Sequence, residues 1–369
     1  MKVVKEIGKR LGKWRTECRN FQDRMDEMKV LYVTALYNHN KQVQRGEREG
    51  KLDELPEEEG RQILKWRRYQ RHRVLEANLR KQVLNLMQHT ASIGGLDPYP
   101  PPLQENTRSH LEKKGDADEK ARRAARQWSE QNVGRAIQHP DDNFQLKIKR
   151  SSIDHPKAGY GVVVQGEVHP GTVLAIYPGC VYDAYNVPSS VFTTNDYIMT
   201  RYDGAIIDGK RWEDRAEKER EKQSTLDLFS ADFQATDGGG ATSHSLPINP
   251  LSRFRNPFGI AQYINHPPIG GRPNVFCTAF DFHSDTFDTT LQAYIPNQHG
   301  LERSWLEKKI YPGIAMRSAV VVALRRIEDE ELFLNYRYNP THPYPDWYEQ
   351  PDEEEARRRW GKIRVFYPG

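Results

Sequence analysis

Twelve histidines and three cysteines are the obvious metal ligands here, yet no His-x-x-x-His, His-Glu-x-x-His or Cys-x-x-Cys spacing occurs to hold a zinc ion. Gly159-Tyr160-Gly161 is followed by Val164 where a dinucleotide-binding turn needs a third glycine. No Gly-Lys-Ser/Thr phosphate loop and no Gly-x-Ser-x-Gly elbow appears either. Hydrolase and kinase readings therefore lose their usual support. What remains is a series of short pieces in a fixed order. Gly159-Tyr160-Gly161 precedes a β-rich run and Tyr177-Pro178-Gly179 closes the next. Then come Gln262-Tyr263-Ile264-Asn265-His266-Pro267-Pro268, Pro273-Asn274-Val275 and Glu330-Glu331-Leu332-Phe333-Leu334-Asn335-Tyr336.

The elements that must position these pieces change character along the chain. At the front, Val4, Ile7, Leu11, Trp14, Cys18, Phe21, Met25, Met28, Tyr32 and Ala35 recur at gaps of three and four, which predicts one long amphipathic helix. Its heptad register suits a coiled coil or a hairpin within the chain. After the polar break Leu55 to Gly60, the stretch Arg61 to Met87 carries Leu75, Leu79, Val83 and Leu86 on one face and predicts a second helix, paired antiparallel with the first. Residues 1–93 are thus a helical region. Residues 94–145 are a linker, marked by Gly94-Gly95 and Pro100-Pro101-Pro102, with a short helix over Asp116 to Ile137.

From residue 146 to 340 short β-rich runs dominate: Gly161 to Gln165, Thr172 to Tyr177, Tyr197 to Tyr202, Ala205 to Asp208, Asn274 to Phe282, Ala319 to Leu324 and Leu332 to Tyr338. Asp203-Gly204 is a tight-hairpin dipeptide between two of them. Residues 210–255 read as a surface insertion, and 341–369 as an aromatic and charged tail.

Composition excludes several classes. The longest strongly apolar run, Ala319 to Leu324, is far short of the ~18 residues that span a bilayer, and no apolar signal-peptide core follows the basic N-terminus. Scattered cysteines without a sequon argue for a reducing compartment, so nucleus or cytoplasm is the expectation, with mitochondrial import left open. Residues 1–150 hold 32 Lys/Arg against 22 Asp/Glu, and residues 151–369 hold 23 against 29. A basic surplus so diluted by acids argues against nucleic acid as a partner.

The ordered pieces resemble the SET-domain family of protein lysine methyltransferases over Lys147 to Tyr338. Tyr177 to Tyr182, Ile207-Asp208-Gly209, Asn256-Pro257, Gln262-Tyr263 and Val320 to Arg325 look most like the SET domain-containing protein nine subfamily. The resemblance implies an α+β fold, mainly β and threaded as a pseudoknot, behind the α-helical front. It implies S-adenosyl-L-methionine as cofactor and a protein substrate that presents a lysine through a narrow channel, with no metal. By the same resemblance Gly159, Tyr160 and Gly161 would approach the cofactor with their backbone, where glycine leaves no Cβ in the way. Asn265 and His266 would fix its two ends, Tyr336 would be the catalytic tyrosine, and Tyr263 would line the lysine channel. Pro345 to Tyr348 would form an aromatic cover.

The chain departs from the family pattern at Gln262-Tyr263, Pro267-Pro268, Asp329 and Asn335, and Leu334 stands where many relatives carry an aromatic residue. Plainer alternatives stay open beside each role: a tight turn for Gly159 and Gly161, buried polar packing for Asn265 and His266, and aromatic packing for Tyr336. At the level of the whole chain the alternative is a catalytically inactive interaction module that uses its helical front to recruit a partner.

Overall fold

The structure, a computed structural model, describes residues 2–94, 136–140, 144–155, 158–183, 187–188, 191, 197–209, 256–301, 312–340 and 342–360, with side chains from residue 21 onward. The insertion expected at 210–255 and most of the linker lie outside these residues. So does the short helix expected over Asp116 to Ile137, except at its end. There Ala136 and Ile137 belong to a strand, β1 (Ala136–Gln138), which pairs antiparallel with β2 (Gln145–Arg150). Ile137 alone of its three residues is buried, the alternation of a half-covered strand.

Three helices form the front: α1 (Lys2–Gln44), α2 (Glu57–Lys65) and α3 (Arg68–Ser92). The predicted polar break at 55–60 is mostly helix, because Pro56 sets its entry and Glu57, Glu58 and Glu59 suit the positive end of α2. The single helix expected over Arg61 to Met87 is interrupted at Trp66, whose backbone is extended and whose ring packs on the core. The Gln70 side chain then caps the restart by accepting the Arg67 N–H at 2.8 Å.

The expected antiparallel pairing of the long helices is also corrected. Glu27 of α1 meets His72 of α3 at 3.9 Å, while Thr34 and Asn38 meet Asn78 at 3.4 and 2.9 Å, so the contacts advance in the same sense along both. The chain first returns along α1. Asp53, at φ +62, exchanges two hydrogen bonds with Asn40, and Lys51 gives its carbonyl to His39.

The strands behind are β3 (Tyr160–Gln165), β4 (Glu167–Val168), β5 (Val173–Ile176), β6 (Gly179–Tyr182), β7 (Ile198–Thr200), β8 (Ile206–Asp208), β9 (Val275–His283), β10 (Asn297–His299), β11 (Ile314–Ala323) and β12 (Ile327–Glu328). A short helix α4 (Thr289–Gln292) follows β9, and α5 (Glu353–Trp360) lies in the tail. The strands make four small sheets, β1-β2-β3, β5-β11-β9, β10-β6-β8-β7 and β12-β4, antiparallel except for β10 with β6. The fold is α+β.

Leu332 to Tyr338, expected as a strand, forms no ladder. Glu331, Phe333 and Leu334 make single bridges to Val163, Asn265 and Val275 in turn, so the segment passes between three others. The segment lies where three others meet.

Helices and strands share one core. Val30, Leu31, Leu36, Leu79, Val83, Leu86 and Met87 pack in the same cluster as Phe144, Val162, Leu174, Phe258, Val275, Val321 and Leu332. From Val30 onward, α1 therefore uses its apolar face inside the chain and not in a coiled coil, although Phe21, Met25 and Tyr32 stay exposed. Polar bonds tie the same seam. Gln82 of α3 donates to the Gly171 carbonyl at 2.9 Å and accepts from the Val173 N–H at 2.8 Å, while His169 lies against Asp53 and Gln44 at 3.0 and 3.1 Å.

Candidate active site

The two glycines that lead into β3 serve different ends. Gly159 stands at φ +57, which glycine adopts without strain, and the direction of its missing Cβ is open. Gly161 faces inward, where a Cβ would overlap the side chain of Glu331. That buried carboxylate is the centre of the site. Its Oε1 accepts from Ser151 Oγ at 2.8 Å and Asn265 Nδ2 at 3.2 Å, and its Oε2 from the Ser152 N–H and hydroxyl at 2.7 and 2.6 Å. Asn265 Nδ2 also donates to the Tyr160 carbonyl at 3.0 Å, and the Leu334 N–H donates to the Asn265 carbonyl at 2.8 Å. On the other side, Asn274 donates to the Glu331 carbonyl and accepts the Phe333 N–H. The glycine turn, Asn265 and the threaded segment are therefore joined through one side chain. Its role was not legible beforehand, although the Glu330-Glu331 pair was visible.

Tyr336 follows on that segment, half-buried. Its hydroxyl donates to the Ile264 carbonyl at 3.2 Å, and its N–H donates to His266 Nδ1 at 3.3 Å. His266 in turn gives its Nε2–H to the Glu349 carbonyl at 2.8 Å, so the partners fix one neutral tautomer. The ring stacks on Tyr348, with centroids 4.3 Å apart, and lies near Tyr336 and Trp347. Tyr348 also stacks on Tyr338. The Pro345 to Tyr348 segment thus covers His266 itself. On the interior side stands Tyr177, held by the Tyr197 carbonyl. Burial raises its pKa most, and the neighbouring Cys277 and Tyr336 raise it further. Burial also pushes the Cys277 thiol up to about 12, which leaves it inert as a nucleophile near neutral pH.

Burial lowers the His266 pKa below its ordinary 6.5. Below that ordinary value the unfolded chain binds the proton more readily than the folded one, so the ring's contribution to stability is complete above about pH 6.5 and is lost as pH falls. Wild type is expected to lose more unfolding free energy between pH 7.5 and 5.5 than His266→Gln, as measured by urea titration. Equal losses would show that another group governs that range.

The structure thus brings together Gly159, Tyr160, Gly161, Asn265, His266 and Tyr336. Tyr263 lies on the adjoining 3-10 turn (Ala261–Tyr263), half-buried against the core. Of the plainer alternatives, a turn suits Gly159 at its positive φ, whereas Gly161 lies inside β3 and is needed for Glu331; buried polar packing describes His266, both of whose ring nitrogens have protein partners. Of the departures, Asp329 takes the left-handed φ of +47 and accepts the Gly166 N–H at 2.8 Å, while Asn335 accepts the Arg337 N–H at 2.9 Å.

The residues present fit S-adenosylmethionine at its polar end. Asn265 Oδ1 takes part in no hydrogen bond among the described residues, and it adjoins the open turn at Gly159 through Tyr160. A carbonyl acceptor beside a turn with open space on one side suits an ammonium group. Among the described residues no group of acidic, histidine or cysteine side chains could hold a metal ion, and no helix is long and apolar enough to cross a membrane.

No family model matches the chain. Among curated proteins it is 32% identical over 181 residues to SET domain-containing protein 9 of Pongo abelii and of Homo sapiens. The match covers 48% of this chain, and the chain spans 59% and 54% of the two relatives' length. Two solved structures also show similarity. KRYPTONITE in complex with mCHG DNA and SAH is 17% identical, with 53% of this chain and 24% of that chain covered and a TM-score of 0.24. ATXR5 in complex with histone H3.1 is 14% identical, with 72% and 91% covered and a TM-score of 0.26. The curated match carries the same subfamily name that the motifs resemble: over about half its length the chain is similar to SET domain-containing protein 9, and it spans a little over half the length of those relatives.

Proposed function

We propose that this chain is an S-adenosylmethionine-dependent methyltransferase that acts on a lysine side chain of a protein. The observation that supports it is the convergence on Glu331 and His266: one backbone-lined turn, one amide with a spare acceptor and one half-buried phenol. When bound, the cofactor supplies an electrophilic methyl group on a sulfonium. The protein's part is to hold two partners in line and keep water out. The Asn265 carbonyl oxygen would hold the cofactor's ammonium end in the open space beside Gly159. Tyr263 would line the lysine's path, and the rings of Tyr338, Trp347 and Tyr348 would shield it from water.

A lysine with an ordinary pKa of ~10.4 must reach the site neutral, which at pH 7 costs on the order of 4–5 kcal/mol. Apolar walls lower that cost by disfavouring the charged form. The Tyr336 hydroxyl, already fixed by the Ile264 carbonyl, would orient the amine.

A second reading, a silent interaction module, is favoured by the hydrogen bonds that already engage both His266 nitrogens and the Tyr336 hydroxyl within the protein. Calorimetric titration with S-adenosylmethionine, and labelled methyl transfer into lysate proteins, separate the two. The proposal expects saturable binding and transfer that falls at least about tenfold in Tyr336→Phe. That variant should stay folded, because one neutral hydrogen bond is worth only about 1 kcal/mol. Absence of cofactor binding by the wild-type chain would leave the silent module.

A further inference from the structure

Arg337 directly follows the phenol of Tyr336 and stands at φ +55, a left-handed conformation uncommon for a residue with a long side chain. Its surroundings show what holds it there. Its N–H is accepted by Asn335 Oδ1, and its guanidinium lies over the Phe276 ring, 4.5 Å from the centroid. The same guanidinium pairs with Glu355 of α5 at 2.8 Å and with Asp26 of α1 at 3.5 Å. Arg359 of α5 pairs with the same two acids, at 3.1 and 2.6 Å, and with Asp23 at 3.6 Å. Two guanidinia and two carboxylates therefore alternate in a closed set, their side chains between 13% and 24% exposed, where water screens them weakly. Arg358 extends the contact to Gln22, which donates to Asp26.

Three elements distant in the sequence, α1, the turn after Tyr336 and α5, meet at this one arginine. Tyr336 is anchored at two atoms, its backbone N–H to His266 and its hydroxyl to the Ile264 carbonyl, and Arg337 sets the course of the backbone immediately after it. We propose that Arg337 is a positioning residue for Tyr336, and that Asp26 and Glu355 hold it, so that α1 belongs to the machinery of the site. The proposal rests on the methyltransferase reading for its kinetic consequence, but its structural content stands apart from it.

The test uses the full chain with Asp26→Asn, Arg337→Gly and Arg337→Lys. Hydrogen exchange at the Tyr336 amide is measured first, because it needs no activity. The expected result is exchange faster by about tenfold in Asp26→Asn and Arg337→Gly, with the amides of β9 and β11 unchanged and a partial return in Arg337→Lys. The glycine variant is the sharpest, since glycine takes the left-handed turn without strain and lacks only the clamp. Unchanged exchange at Tyr336, or an equal rise at β9 and β11, would overturn the proposal. Single-turnover methyl transfer should then fall about tenfold in the same two variants, with the cofactor Kd within about twofold of wild type. Wild-type transfer rates in those variants would also overturn it. A wild-type chain that transfers no methyl group would refute the methyltransferase reading and leave the exchange result to decide this one.

Discussion

Gly171→Ala is expected to destabilise the protein by about 3–5 kcal/mol and to lower Tm by roughly 10 °C, the largest effect of any single methyl group added at a described position. Two independent causes act there. The residue stands at φ +80, a strained conformation for alanine, and the new Cβ would overlap the Val33 carbonyl of α1, with Tyr37 close behind. Relief by movement is blocked from three sides. The Gly171 N–H donates to the Ala323 carbonyl at 2.8 Å, its own carbonyl is held by Gln82, and α1 is locked beyond it through Asp53 and His169. Differential scanning calorimetry checks the shift. A Tm within 2 °C of wild type would mean that α1 does not press on this turn as described.

The second large effect is expected at Glu331. Truncation in Glu331→Ala leaves Ser151, Ser152 and Asn265 without their shared acceptor and opens a gap beside Gly161. The cost is about 3–4 kcal/mol, measured by urea unfolding. A double-mutant cycle gives the stricter check. Gly161→Ala alone is expected to be severe because its Cβ meets the carboxylate, whereas in the Glu331→Ala background the same methyl group fills vacated space. The pair should therefore be less damaging than the sum of the singles by at least about 1 kcal/mol. Strict additivity would place the carboxylate elsewhere.

Much of this arrangement was legible in the sequence because it is local. Six of the seven β-rich runs coincide with strands, since β-branched residues bounded by glycine, proline and aspartate need no distant information. The seventh, Leu332 to Tyr338, has the composition of a strand. Its partners, however, are single residues on three segments, and periodicity carries no trace of such pairing. β6 and β10 were passed over for a related reason. They hold four and three residues; β10 lies on β6 from more than 100 positions away, while β6 also pairs with β8.

In the front, the 3.6-residue period exposed α1 but not the direction of its neighbour, which follows from the Asn40 and Asp53 side chains turning the chain back. The site divides in the same way. Asn265, His266 and Tyr336 stand in recognisable short motifs. Glu331 and Arg337 do their holding through residues up to 311 positions away, such as Asp26, and no window on the sequence contains both ends.

The pairing of Asp26 with Arg359 spans 333 positions, and that span has a consequence during synthesis. At about 5–20 residues per second, a ribosome takes roughly 20–60 s to make the second partner after the first has emerged. The apolar side of α1, Val30 to Tyr37, gains α3 early and the strands stepwise, but the ion partners of Asp26 on α5 come only at the end of that interval. The ion set that joins α1 to the site's last segment is therefore among the last native contacts the nascent chain can make.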